Sequence, residues 1–218
     1  MTSQKGDISL TQLKKLFIRS EKEFKFCQNL VDHVFDIKKE LPQQVFRKTF
    51  DCFLFQEFDW ALSDDILPTI KELSAVTQDR EFLTAVLQPD PAEYYLKEFG
   101  YYNWLKASVD ITGEDYVNAL WTHPKEPIAD DIITNSYIVV WLSHSLKWAI
   151  WADRDMEICI IGMVSTKDSV KNRLLKEGWK SLDHPVLANW FEGLLKDQKT
   201  FDDYITQMLS HYASCYKR

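Results

Sequence analysis

Residues 137 to 164 constrain the fold of this chain more than any other stretch. Tyr137 to Leu142, Lys147 to Ala152 and Met156 to Val164 are three β-prone apolar segments. Ser143-His144-Ser145 and Asp153-Arg154-Asp155 separate them. Connections this short join antiparallel neighbours, because a parallel pair needs a crossover of about a dozen residues or more. A three-strand meander is therefore predicted, and a purely helical chain is excluded.

The flanks read differently. Ser9-x-x-Gln12 and Ser20-x-x-Glu23 are capping-box patterns, which give side-chain partners to the free amides of a helix start. Leu10, Leu13, Leu16 and Phe17 follow the first at helical spacing, and Phe24, Cys27, Leu30, Val31, Val34 and Leu41 follow the second. Two N-terminal helices are expected, the second stopped by Pro42. Three more helices are expected after the meander. Ser165 or Thr166 starts one that ends at Gly178, Asp183 with Pro185 starts the next, and Thr200 caps the last.

Between them, Phe50 to Phe58 and Phe82 to Leu87 read as strands, the first with a helix as its alternative. Ser63 is expected to cap a segment that Pro68 kinks or begins. Ala92 to Phe99 reads as a helix closed by Gly100, and Thr112-x-x-Asp115 as the start of another reaching Trp121. Tyr101 to Leu105 reads as extended or irregular, and His123 to Pro127 as a loop. The expectation is one α+β domain over residues 1–218, with a mostly antiparallel sheet and helices at both ends. Residues 1–48 form its N-terminal helical segment, 49–164 the acidic, aromatic-rich middle with the sheet, and 165–218 the C-terminal helices.

Charge is uneven. The net charge is −7, yet residues 49–135 alone carry 17 acidic against 5 basic side chains, and 14 of the 30 aromatic ones. Such a segment repels nucleic acid and anionic membranes and attracts basic partners. The densest part, Asp90 to Trp104, sets Glu93, Tyr94, Glu98, Tyr101, Tyr102 and Trp104 close together, and Asp59, Trp60, Asp64 and Asp65 extend the pattern. Acid-ringed aromatic anchors suit a protein partner rich in Lys and Arg. A second grouping, His144, Trp148, Trp151, Asp153, Asp155 and Glu157, suggests an aromatic and acidic small-molecule pocket, with its carboxylates or His144 available for proton transfer.

No nucleotide, zinc, calcium or serine-hydrolase signature occurs, and no two of the five histidines share helical metal-ligand spacing. No catalytic residue, metal or cofactor is expected. The polar start and the absence of a long apolar run indicate a cytoplasmic protein without a membrane segment. Four dispersed cysteines, Cys27, Cys52, Cys159 and Cys215, are expected as reduced thiols.

Three segments, DWALSDD (59–65), LQPDPAEYYLKEFGYYNW (87–104) and KWAIWADRDMEICIIG (147–162), together resemble a broad group of small bacterial cytosolic proteins that includes immunity proteins of polymorphic toxin systems. The last segment is similar to that group's hairpin of Trp-x-x-Trp, polar turn and apolar strand. The resemblance implies a non-catalytic protein that neutralises a basic toxin, for example a nuclease, by stoichiometric binding. It assigns no individual contact.

Overall fold

The structure, a computed structural model, describes residues 13–122, 130–164, 168–195 and 197–213. Six strands form one antiparallel sheet: β1 (Cys52–Glu57), β2 (Glu81–Gln88), β3 (Trp104–Ser108), β4 (Ile138–Ser143), β5 (Trp148–Asp153) and β6 (Ile158–Met163). Their order is β1-β6-β5-β4-β2-β3. The expected meander is the centre of this sheet, with Val140 opposite Trp151 and Trp151 opposite Ile160.

All residues of β4, β5 and β6 are buried, because helices cover both faces. On one face lie α2 (Phe58–Ala61), α3 (Ile66–Thr77), α5 (Gly113–Leu120) and α6 (Asp168–Lys176), packed on Trp141, Trp148 and Ile150. On the other lie α1 (Glu21–Val34), α7 (Pro185–Glu192) and α8 (Gln198–Tyr212), packed on Val140, Trp151 and Ile160. The architecture is α+β in three layers, and the central strands β4, β5 and β6 are almost wholly apolar because neither of their faces meets water. A π-helical turn (Pro91–Leu96), continued by the short α4 (Lys97–Phe99), joins β2 to β3. Gly100 closes it in the left-handed region, at φ +77°.

Ser20 caps α1 as its sequence dictates, accepting from the Glu23 amide at 3.2 Å, and Phe24, Cys27, Val31 and Val34 form its buried stripe. The helix stops at Val34, seven residues earlier than Leu41. Phe35 turns extended to pair with Phe46, burying both rings, and Pro42 lies in the loop beyond. Other starts also shift. Asp197, not Thr200, caps α8, and the His184 ring rather than Asp183 caps α7. Asp65 precedes α3, which carries Pro68 in its first turn, where no amide is missed. Ser63 accepts from the Asp65 amide instead of capping α3. The helix expected from Ser9 is described only from Leu13, whereas the Ser165 and Thr166 starts and the loop at His123 lie outside the described residues.

Cys27 and Cys159 are buried free thiols, and burial pushes Cys27 up to about 11. Cys52 is disulfide-bonded, which corrects the expectation of reduced thiols throughout. Cys215 lies outside the described residues. No helix among the described residues is long and apolar enough to cross a membrane.

Candidate functional site

The turn between β5 and β6 and the junction of β1 with α2 meet at one end of the sheet. The Phe58 amide donates to the Glu157 carbonyl at 3.1 Å and joins them. Glu157 adopts the left-handed region, φ +51°, and closes the turn through its amide to the Arg154 carbonyl. A cleft of about 250 Å³ opens there, lined by Glu57, Phe58, Asp59, Arg154 and Glu157.

Arg154 is held rather than free. Its Nε donates to the Ser136 carbonyl at 2.6 Å and its Nη2 to the Ile133 carbonyl at 2.5 Å. The guanidinium carbon lies 4.6 Å from the centre of the Phe58 ring. These contacts fix the cation as a wall of the cleft. The three carboxylates beside it are exposed, and none joins an ion pair among the described residues. The lining therefore carries three negative charges against one positive charge.

The loop at 130–136 ties this cleft to the aromatic stretch. It gives Arg154 its two carbonyls, and on its other side Asp130 Oδ1 accepts from the Tyr94 hydroxyl at 2.6 Å and from Asn135 Nδ2 at 2.9 Å. The Tyr95 hydroxyl donates to the Asn135 carbonyl. The π-helical turn and the β5–β6 turn, some 60 residues apart in sequence, thus share one support.

Of the proposed partner-binding residues, Asp59, Asp64, Asp65, Glu93 and Glu98 are exposed, and Trp60 and Tyr94 are half-buried. Trp60 packs edge-on against Trp179, and the Asp64 carboxylate sits against Gly113 at the start of α5. Tyr101, Tyr102 and Trp104 are core residues, 4%, 3% and 1% exposed, so they present no surface to a partner. Tyr102 stacks on Phe24 at 3.8 Å, and Trp104 Nε1 donates to the Val86 carbonyl at 2.6 Å. Both are drawn inward because α1 covers that side of the sheet.

The second grouping does not converge. Trp148 and Trp151 lie three residues apart on one strand, so they point to opposite faces and enter separate cores. His144 lies at the far end of β5, exposed and stacked on Phe26 at 5.7 Å. Asp153 is buried and accepts from the Met156 amide at 3.1 Å. Burial, followed by the nearby Asp155 and Glu40 charges, pushes its carboxyl up to about 6. Asp155 and Glu157 are exposed beyond it.

Sequence reasoning passed over Glu57, Asp130 and Asn135. Nothing in their local sequence separates them from ordinary loop and strand-end residues. Arg154 stood in plain view between two aspartates, but its carbonyl partners are set by a loop 18 residues upstream. Among the described residues, no group of three His, Cys, Asp or Glu side chains is placed to hold a metal ion. No protein-family model, curated protein or solved structure matches this chain.

Proposed function

We propose that this protein is a non-catalytic, stoichiometric binder of a basic protein, seated on the cleft of Glu57, Asp59 and Glu157. One observation carries the reading: three exposed carboxylates without ion-pair partners among the described residues line a cleft whose single arginine is already committed to backbone carbonyls. A Lys or Arg side chain of a partner supplies the missing charge, and half-buried Trp60 supplies apolar contact beside it. In its most concrete form the partner is a bacterial toxin such as a nuclease, and the protein is its cytoplasmic immunity protein. The resemblance of the 59–65, 87–104 and 147–162 segments supports that form.

The test is carbodiimide cross-linking in the source cells, with the wild type beside a Glu57→Lys, Asp59→Lys, Glu157→Lys variant. The expected result is one basic protein captured at equal stoichiometry, weakened by salt and lost in the triple variant. That protein should poison a host alone and be harmless when co-expressed. Equal capture by the triple variant would end this reading.

A further inference from the structure

Interfaces set large rings beside their charged groups, because a ring buried on contact supplies much of the holding energy. With Tyr101, Tyr102 and Trp104 withdrawn into the core, a fully exposed ring for a partner must come from elsewhere. Among the described residues three rings are exposed: Phe26 at 51%, Tyr137 at 49% and Trp121 at 46%. Phe26 stacks on His144, at the far end of β5, and Trp121 follows α5. Tyr137 is tied to the acidic cleft itself, its carbonyl accepting from the amide of the cleft-lining Arg154 at 2.9 Å.

A row of backbone bonds crosses the end of the sheet from the cleft to this residue. The Phe58 amide donates to the Glu157 carbonyl at 3.1 Å, the Glu157 amide to Arg154 at 3.0 Å and the Arg154 amide to Tyr137. The Tyr137 amide donates in turn to the Gln88 carbonyl at 2.8 Å. Strands β6, β5 and β4 are neighbours, so Tyr137 lies about two strand spacings, roughly 10 Å, from the Glu157 end of the cleft. It also falls on the same side of the sheet. Side chains alternate along a strand, so position 137 goes with Val139, whose core holds Phe58, and opposite to Ile138. Its backbone is bonded in both directions, so a partner that meets the ring has little chain to put in order.

We propose that Tyr137 is the aromatic anchor of the partner-binding face, so that the basic partner presents a lysine or arginine to the cleft and a neighbouring aromatic side chain to this ring. This rests on the acidic cleft being the binding site. Two positions apart on an extended segment, such side chains share a face about 7 Å apart, and the flexible stem of the basic residue spans the rest. A partner that is merely basic satisfies the carboxylates and leaves the ring in water. Tyr137 thus sets the preference among basic partners, and a ring pair gives about three- to tenfold in affinity.

Three end-blocked peptides separate the two contacts: Lys-Ala-Phe, Lys-Ala-Ala, which lacks the ring, and Glu-Ala-Phe, which reverses the charge. Each is titrated into the full chain and followed in ¹H–¹⁵N spectra. Both lysine peptides should saturate by about 10 mM, Lys-Ala-Phe about three- to tenfold the tighter, and Glu-Ala-Phe should not bind. Tyr137→Ala should remove the preference for Lys-Ala-Phe and leave Lys-Ala-Ala unchanged, whereas Tyr137→Phe, which keeps the ring, should keep the preference. Equal affinity of the two lysine peptides for the wild type, or a preference that survives Tyr137→Ala, would overturn the anchor while the cleft stands. Failure of both lysine peptides to saturate, or undiminished binding to the Glu57→Lys, Asp59→Lys, Glu157→Lys variant, would overturn the cleft and the anchor with it.

Discussion

Asp153→Asn should make this protein more stable at neutral pH. The Asp153 carboxyl is 5% exposed at the end of β5, and burial raises it from an ordinary 3.8 to about 6. It accepts from the Met156 amide at 3.1 Å, and among the described residues the buried Tyr204 hydroxyl on α8 has no hydrogen-bond partner. Because the folded state holds this proton more tightly than the unfolded chain, stability falls as pH rises from about 4 to about 6 and stays low above it. At about 1.4 kcal/mol per pH unit, the displacement corresponds to roughly 3 kcal/mol at pH 7, as an upper figure. Asparagine keeps the shape and the acceptor oxygen for Met156 but carries no charge. Urea melts of wild type and variant from pH 4.5 to 8 should therefore nearly coincide at the acid end. They should separate as the pH rises to about 6 and hold a constant gap above it, the variant being the more stable by about 1–3 kcal/mol. A variant that is less stable at pH 7.5, or a gap that does not grow with pH, would refute the assignment of a costly buried charge to Asp153.

Two further substitutions probe the packing. Trp104→Ala removes a 1% exposed ring and its bond to the Val86 carbonyl, and should cost about 3–5 kcal/mol in a denaturant melt. Loss of partner binding without loss of stability would instead mean that this ring faces a partner. In Gly162→Ala, a Cβ would lie 2.5 Å from the Phe50 ring, so we expect a net loss of about 1–2 kcal/mol and a fall in Tm of roughly 2–8 °C. Adding Phe50→Leu should recover part of it, and an unchanged Tm in the single variant would contradict this contact.

The meander and most helix positions were legible because their signals are local: short connectors, apolar segments and capping side chains. What failed was the inside–outside assignment of aromatic rings. In a sheet with one wet face, alternation along a strand sorts core from surface. Here helices cover both faces, so Tyr101, Tyr102 and Trp104 are all buried although they are near neighbours in sequence. The spacing of Trp148 and Trp151 did contain its answer, since an odd separation along a strand places two side chains on opposite faces. The end of α1 depended on a pairing of Phe35 with Phe46, and the surroundings of Asp153 include Tyr204 of α8, some 50 residues away. Neither leaves a mark in the local sequence. The acidic bias was legible as charge, but its focus at Glu57, Asp59 and Glu157 required the fold.

The two outer strands of the sheet bear on how the chain avoids joining its own copies. Beyond β3, Ile18 donates to the Trp104 carbonyl at 2.8 Å, and Lys106 donates to the Leu16 carbonyl at 2.9 Å. Beyond β1, Phe55 and Lys180 exchange amide bonds at 2.8 Å in both directions. Both rims, otherwise ready templates for another strand, are thus occupied by single short pieces of the same chain. Each plug holds by only a few bonds and lies outside the strands proper. Trimming the chain up to Ile18 would bare the β3 rim, and fibril growth or strand exchange between copies would then begin there, before the core itself had loosened.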